Sequence, residues 1–304
     1  MPGAPSSLAA ALAGRPVDRP LLAPLFAALA ADVEELDLRA FLADAGKRSR
    51  LYADLCRSLP VDVLVVDSGS GWDAEAAGFV LDWDGGYPPR LRGRAPGAQD
   101  FDPARGGAPV IADLLARVRA VVAPDTALGV TVTGPATLAA GSGGSLTLPD
   151  AVQQALHAAR TVAQAGAGVV FVREDASVPV DAAEYTRATT PLWGSLRFFQ
   201  TAGVLKLCGA ADGWAPVVAA AGPFLPCFDS HASPAVSAAA LASARPFGIG
   251  LEASGVPVEA VALLHTGRCA LVTHVEDLAG RIPVRDVQGA VGRMEITNQN
   301  GEHR

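Results

Sequence analysis

The side chains with the clearest chemical potential lie in the short apolar segment Gly203–Gly209. Because side chains alternate between the two faces of a strand, Lys206 and Cys208 share one face. Burying a lysine in an apolar strand costs free energy unless the amine forms an ion pair or takes part in catalysis. Desolvation would lower the pKa of Lys206 and make it a nucleophile or base; the alternative is an ion pair with a carboxylate at the rim. Cys208 alone is consistent with a core residue or a metal ligand.

The next predicted strand ends in three candidate metal ligands. Cys227, Asp229 and His231 alternate along the chain and therefore share a face. All three residue types bind zinc, and a histidine can also be oriented by an aspartate behind it. The same run is equally consistent with the start of a helix that Ser233 caps, so a metal role and a structural role both stay open.

Polar side chains also end three other predicted strands. Asp67-Ser68 follows the second and Glu174-Asp175 the fourth, while His274 and Glu276 share a face of the last. Of two adjacent acids, we expect one to point into the site and the other to cap the next helix. The carboxylates and the histidine could act as general acids or bases. The candidate catalytic residues from these strand ends are Lys206, Asp67, Glu174, Asp229 and His231, with Ser68 and Asp175 as candidate substrate-binding residues.

A long irregular segment, residues 83–109, is dense in Gly, Pro and Arg. Loops of this length inside a compact domain are usually functional or disordered. In a barrel, an insertion after the second strand would lie over the catalytic mouth like a lid. Arg90, Arg92 and Arg94, together with Arg105, could clamp an anionic substrate there. A solvated surface loop explains the same composition.

The elements that must position these residues are eight short apolar runs separated by Ala-rich amphipathic stretches. Runs buried on both faces are typical of a parallel sheet. The sequence therefore predicts a (β/α)8 TIM barrel, and the alternative is an open doubly wound sheet, which the missing GxGxxG and Walker motifs disfavour. The predicted strands are Leu21–Phe26, Val61–Asp67, Leu128–Thr133, Gly168–Arg173, Gly203–Cys208, Pro223–Phe228, Phe247–Glu252 and Cys269–Thr273. The predicted helices are Leu38–Leu59, Pro149–Ala165, Asp181–Gln200, Ser233–Ala244 and Val256–His265.

The composition excludes several classes of protein. Half of the 304 residues are hydrophobic, which is enough for a full core, so disorder is excluded. A net charge of −7 disfavours nucleic-acid binding, and no apolar run reaches the ~18 residues of a membrane span. Four scattered cysteines and the absence of a signal peptide favour a cytoplasmic protein. We expect a single barrel domain over residues 1–294 and a polar tail over 295–304.

Several segments in order resemble one superfamily, which contains uroporphyrinogen decarboxylase and the zinc-dependent methyltransferases that use methylcobalamin and a thiol such as coenzyme M. The resemblance covers roughly residues 15 to 292 and implies a (β/α)8 barrel. It is carried by Arg15-Pro16-Val17-Asp18-Arg19-Pro20, Asp73-Ala74-Glu75-Ala76-Ala77-Gly78, Gly134-Pro135-Ala136-Thr137-Leu138-Ala139, Gln164-Ala165-Gly166-Ala167, Cys208-Gly209 and Val272 to Val287.

The decarboxylase branch of this family implies roles for two residues. Asp67 lies where the decarboxylase has its pyrrole-binding aspartate, and Tyr185 where it has a tyrosine, which adds Tyr185 to the candidate catalytic residues. His274 is the nearest match to that branch's C-terminal histidine. The stretch Phe26–Ala30 lacks the arginines that grip substrate carboxylates there. A substrate with many carboxylates would leave its charge uncompensated without them.

The methyltransferase branch implies zinc held by a His-x-Cys on the fifth strand and a later cysteine. In this chain those positions are Lys206, Cys208 and Glu276, so a zinc site needs Cys208 with Glu276 or His274. Glu174-Asp175-Ala176-Ser177 is similar to this branch's "EP-x-x-S" stretch. The favoured expectation is methyl transfer to or from a zinc-activated thiol, with a corrinoid on a partner protein as methyl donor.

Two further functions stay open at the level of the sequence. One is a metal-free lyase that decarboxylates a tetrapyrrole or a small acid, with Lys206 as a cationic electron sink. The other is a barrel without catalysis that binds a tetrapyrrole or a partner protein. A homodimer is consistent with all three functions.

Overall fold

Eight parallel strands form one sheet in the computed structural model, as the sequence predicts. The structure describes residues 8–10, 13, 15, 19–25, 27, 30–31, 35–59, 61–84, 86–209, 212–220, 222–229, 233–243, 245–251, 263–264, 266 and 268–274. The strands of this sheet are β1 (Leu21–Leu22), β2 (Val63–Asp67), β5 (Ala127–Thr133), β6 (Val169–Asp175), β7 (Ala202–Cys208), β8 (Leu225–Asp229), β9 (Phe247–Leu251) and β10 (Cys269–His274). A separate antiparallel pair consists of β3 (Phe79–Asp82) and β4 (Arg90–Arg94).

The sheet curls into a barrel that closes between its first two strands. Its order is β1-β10-β9-β8-β7-β6-β5-β2, so β1 and β2 are the two free edges. The backbone N–H of Asp62 donates to the Leu22 carbonyl at 3.0 Å, and the Leu22 N–H donates to the Asp62 carboxylate at 2.8 Å. Arg19 holds that carboxylate with its guanidinium at 2.7 Å. These bonds join the edges, and the predicted (β/α)8 barrel is confirmed.

Helices alternate with the strands on the outside of the barrel. They are α1 (Leu38–Leu42), α2 (Ala45–Ser58), α3 (Trp72–Ala76), α4 (Ala108–Val121), α5 (Pro135–Gly141), α6 (Leu148–Gln164), α7 (Ala182–Phe198), α8 (Ala215–Ala219) and α9 (Pro234–Ala242), with a 3₁₀ turn at Asp212–Trp214. The single helix predicted over Leu38–Leu59 is divided in two, because Asp44 caps a new helix by accepting from the Lys47 N–H at 2.9 Å. Most of the predicted helix Val256–His265 lies outside the described residues.

Strand alternation divides the core into an inner and an outer part. The inner cluster fills the barrel with side chains that include Val63, Val65, Val169, Phe171, Val204, Leu225 and Leu271. The outer cluster lies between strands and helices and includes Leu64, Val66, Val170, Val172, Leu205, Leu207 and Phe228. At Gly129 a Cβ would lie 3.0 Å from the Phe171 ring, so this glycine makes room for the largest inner side chain. The lower barrel is therefore a packed and mostly apolar core.

The segment 83–109 is more regular than the sequence suggests. Its first part completes a β-hairpin, since β4 pairs with β3, and α4 begins at Ala108. Leu91 of this hairpin packs on Gly141 of α5, where a Cβ would lie 2.7 Å from the leucine side chain. The hairpin and α4 were missed because strong Gly, Pro and Arg content masked the two short β-alternations and the Pro109 that starts the helix.

Among the described residues, no helix is both long and apolar enough to cross a membrane.

Candidate active site

A buried ion pair lies above the apolar core of the barrel. Lys206 of β7 and Asp229 of β8 face inward, and the Lys206 ammonium donates to the Asp229 carboxylate at 3.0 Å. Both side chains are at most 5% exposed. The second carboxylate oxygen of Asp229 accepts from the Gly209 N–H at 3.0 Å, at the turn that follows β7. The pair thus joins two neighbouring strands at their carboxyl ends, where barrel chemistry collects.

This pairing reverses the protonation behaviour expected of Lys206. Burial alone lowers the pKa of the amine, but the charge of Asp229 and the neighbouring Cys208 and Cys227 raise it above its ordinary value. Of the two alternatives for Lys206, the structure shows the ion pair with a carboxylate, which raises the pKa of the amine instead of leaving burial to lower it. Lys206 is a fixed positive charge at neutral pH, which disfavours its use as a free nucleophile. A catalytic role for Lys206 and Asp229 stays a prediction.

A second cation, Arg173, lies beside this pair and was missed in the sequence. It faces inward on β6, in register with Thr133 on one side and Lys206 on the other. The Cys208 side chain on the neighbouring strand is the main cause that raises the pKa of Arg173, and burial opposes the rise. Strand alternation could have found Arg173, since it falls two residues before Asp175 and two after the inward Phe171.

Asp67 ends β2 in a tight network instead of an open position. One oxygen of its carboxylate accepts from the N–H groups of Gly69 and Ser70, each at 3.0 Å. The other oxygen pairs with Arg48 of α2 at 3.1 Å, and both side chains are almost fully buried. Arg48 also donates to the carbonyl of Val66 at 2.7 Å. This arrangement fixes the turn after β2.

Glu174 and Tyr185 lie on the helix side of β6. The Glu174 carboxylate accepts from the N–H groups of Ala136 and Thr137 at 3.0 and 2.8 Å, and from the Thr137 hydroxyl at 2.7 Å. Tyr185 of α7 donates its hydroxyl to the same carboxylate at 2.9 Å. Both side chains are fully buried, and burial raises the pKa of each. At Gly134 a Cβ would meet the carboxylate at 2.1 Å, so only glycine fits there.

This network gives the Gly134-Pro135-Ala136-Thr137 stretch a physical explanation. Glu174 caps the amino end of α5, where unpaired N–H groups favour an anion. Of the two adjacent acids, Glu174 caps a helix and Asp175 lies exposed at the mouth, where it accepts from the Ser177 N–H and hydroxyl. The capped helix precedes Glu174 in the chain instead of following it. Catalytic roles for Glu174 and Tyr185 stay predictions, although neither faces the barrel interior.

Two of the three hairpin arginines bond to residues of the hairpin or of the segments on either side of it. Arg92 pairs with Asp82 at 2.5 Å, and Arg94 donates to the carbonyls of Ala77 and Gln99 at 3.1 and 2.6 Å. Arg90 is exposed. These contacts stabilise the hairpin, and substrate binding by the three arginines stays a prediction.

The loop of this hairpin reaches the mouth of the barrel. The Ser68 hydroxyl lies 3.0 Å from the Tyr87 hydroxyl. A Cβ at Gly69 would lie 3.5 Å from Pro88 and 3.6 Å from the Arg173 side chain. The hairpin tip, the turn after β2 and Arg173 therefore meet at one place, and Ser68 belongs to that place.

Zinc is the metal that the family resemblance implies, and the described residues do not fit it. They contain no group of three His, Cys, Asp or Glu side chains that could hold a metal ion. Cys208 lies beside two fixed cations, Arg173 and Lys206, which oppose the approach of a dication.

Other candidate ligands lie beyond what the structure describes. Residues His231 and Glu276 fall outside the described residues, and the side chain of His274 is not described. Ser233 caps α9 by accepting from the Val236 N–H, which confirms the helix start expected after Asp229. The zinc site stays a prediction that rests on residues outside the described part of the chain.

Comparison with known proteins bears on the fold. No protein-family model matches the chain, and no curated protein sequence matches it. Among solved structures, a methyltransferase from Methanosarcina mazei superposes with a TM-score of 0.72 at 16% identity, over 96% of this chain and 98% of that chain. A 2,3-dimethylmalate lyase of the PEP mutase/isocitrate lyase superfamily has a TM-score of 0.49 at 14% identity, over 90% of this chain and 80% of that chain. At this identity the first similarity shows a shared barrel fold.

Proposed function

We propose that this protein is an enzyme of the uroporphyrinogen decarboxylase superfamily that transfers a methyl group to or from a thiol. The observation that carries the proposal is the end-to-end likeness to a methyltransferase, which spans 96% of this chain. Cys208-Gly209 at the end of β7 adds to it, because this is where the methyltransferase branch places a metal-binding cysteine. Barrel enzymes place their chemistry at this end of the strands.

The positive charge that such a reaction needs is supplied by the chain's own side chains. A thiol must lose its proton before it attacks a methyl group, and a nearby cation stabilises the thiolate. Lys206 provides a permanent cation at the base of the mouth, since Asp229 holds its proton in place. Because the described residues do not fit zinc, no step is assigned to a metal.

The transfer itself is a displacement at carbon. The sulfur of the substrate thiolate forms a bond to the methyl carbon, and the bond between that carbon and the donor breaks with its electron pair staying on the donor. A corrinoid carried by a partner protein is the donor that the family resemblance favours. Lys206 stabilises the thiolate before attack, so its charge acts on the rate of methyl transfer to sulfur.

The test is formation of a methyl thioether by the purified protein. Methylcobalamin and a panel of thiols that includes coenzyme M are the substrates, and loss of the methylcobalamin absorbance reports transfer. Bound zinc is measured by elemental analysis before and after chelation. Transfer that persists in chelated, zinc-free protein would show that the chain's own cations activate the thiol, and loss of transfer that added zinc restores would show that a metal does.

Metal-free decarboxylation is the second candidate, and the fixed charge of Lys206 favours it. Loss of CO2 leaves an electron pair that a nearby cation stabilises. However, Asp67 and Tyr185, which the decarboxylase resemblance assigns to the site, have their polar atoms in protein hydrogen bonds. This weighs against a tetrapyrrole substrate. Release of CO2 from a carboxylated substrate without methyl transfer would favour this candidate, and tight porphyrin binding without any product would favour a binding protein.

A further inference from the structure

Among the described residues at the barrel mouth, the buried or partly buried cations outnumber the carboxylates that form ion pairs with them. Three cationic side chains lie buried or partly buried there: Arg48, Arg173 and Lys206. Arg48 pairs with Asp67 at 3.1 Å and Lys206 pairs with Asp229 at 3.0 Å.

Arg173 has no such carboxylate. Within the described residues, no carboxylate oxygen lies within the 4.0 Å of its guanidinium that defines an ion pair. Asp175 is the acid whose charge raises the pKa of Arg173, and that carboxylate is exposed and accepts from the Ser177 N–H and hydroxyl. A partly buried cation without a fixed counter-ion is costly to keep unless an anion joins it.

Arg173 lies among the polar side chains at the mouth of the barrel. It lies inward between β5 and β7, in register with Thr133 and Lys206, and Cys208 follows Lys206 by two residues on the same inner face.

We propose that Arg173 binds a monoanionic group of the substrate, a carboxylate or a sulfonate, and so holds its reacting atom beside Cys208 and Lys206. One uncompensated cation matches one negative charge, which favours a monoanion over a phosphate dianion. The planar guanidinium offers two parallel N–H donors, which suit two oxygens of one anionic group. The identity of the reacting atom as a thiol rests on the proposed function, whereas anion binding at Arg173 does not.

Protection of Cys208 from alkylation tests this inference. The neutral reagent iodoacetamide labels accessible thiols, and mass spectrometry of peptides reports each cysteine separately. Cys208 and Cys56 are half-buried, so Cys56 on α2 is an internal reference for non-specific salt effects. The probes are propionate and ethanesulfonate, which distinguish the two monoanions, and inorganic phosphate as the dianion.

We expect propionate or ethanesulfonate to slow labelling of Cys208 at least threefold at saturation while Cys56 labelling is unchanged. The same anion raises the thermal midpoint, which gives a second readout that does not depend on labelling. Arg173→Met removes both effects, and Arg173→Lys, which keeps the charge but not the paired donors, weakens anion binding about tenfold. The matched control is Arg160→Met on the outer surface of α6, which keeps both effects.

Equal protection in wild type and Arg173→Met, or no monoanion effect on either readout, would overturn the inference. Protection by phosphate alone would overturn the monoanion assignment. Because these readouts need no turnover, anion protection without methyl transfer would end the proposed function and keep the Arg173 site, and methyl transfer without protection would do the reverse.

Discussion

The ion pair between Lys206 and Asp229 predicts a strong energetic coupling. Both side chains are at most 5% exposed, and the ammonium and carboxylate lie 3.0 Å apart. Removing one partner of such a pair leaves an unpaired buried charge, which costs about 3–5 kcal/mol. Lys206→Met leaves the Asp229 carboxylate with only the Gly209 N–H, and Asp229→Asn leaves the ammonium unpaired. Each single variant should therefore lose roughly 3 kcal/mol of unfolding free energy.

The double variant separates this coupling from simple loss of packing. With both charges removed, no buried ion is left alone, so Lys206→Met/Asp229→Asn should lose roughly 3 kcal/mol in total instead of the sum of about 6 kcal/mol. Urea titrations followed by circular dichroism give the unfolding free energies of wild type, the two single variants and the double variant. The four proteins are compared with the same slope of unfolding free energy against urea concentration. The matched control is Lys47→Met, because Lys47 is exposed and lies 3.9 Å from Asp44, so its loss should change stability by less than about 0.5 kcal/mol. Additive single losses, or a Lys206→Met cost like that of Lys47→Met, would refute the reasoning.

Three further variants test the network around the mouth. Burial raises the pKa of Asp73 to about 6, so between pH 4 and 6 the folded protein binds more protons than the unfolded protein. The free energy of unfolding therefore falls as the pH rises. Urea titrations should show that wild type loses about 3 kcal/mol between pH 4 and 7 relative to Asp73→Asn. Gly134→Ala forces a methyl group onto the Glu174 carboxylate and should cost about 2 kcal/mol by thermal unfolding, whereas Gly143→Ala nearby meets no side chain within 4 Å and tests only its positive φ. Tyr185→Phe removes one hydrogen bond to buried Glu174 and should cost about 2 kcal/mol. If the role of Tyr185 is structural, turnover stays within about twofold, and a large loss of turnover would support the predicted catalytic role.

The eight strands of the barrel were predictable because each is an apolar run buried on both faces. Residues such as Val63–Asp67 have no exposed position at all, which is the pattern of a parallel strand. The hairpin β3–β4 was not predictable in the same way, since three of the five residues of β4 are exposed or half-buried arginines and β4 has only one apolar residue, Leu91. The short helix α5 could not be predicted from its own residues. Its start depends on a carboxylate, Glu174, that lies 38 residues later in the chain.

The position of the candidate site was predictable from the sequence, but the roles of its individual side chains were less so. Lys206, Cys208 and Asp229 fall at neighbouring strand ends, and strand alternation places them on the same inner face. Which charges are already paired depends on contacts between distant elements, such as Arg48 with Asp67. Arg173 stands out only in three dimensions, because none of the described carboxylates forms an ion pair with it.

The rate of methyl transfer in Lys206→Met tests the central claim, that a fixed cation at the carboxyl end of β7 activates the reacting group. The assay follows methylcobalamin loss and thioether formation with wild type, Lys206→Met and Lys47→Met, the only two lysine positions in the chain. Removing a charge that stabilises the reacting anion typically costs 10²–10³ in rate. We predict a loss on the order of 100-fold for Lys206→Met in protein that circular dichroism finds folded, and wild-type rates for Lys47→Met. Full transfer by folded Lys206→Met would contradict the account.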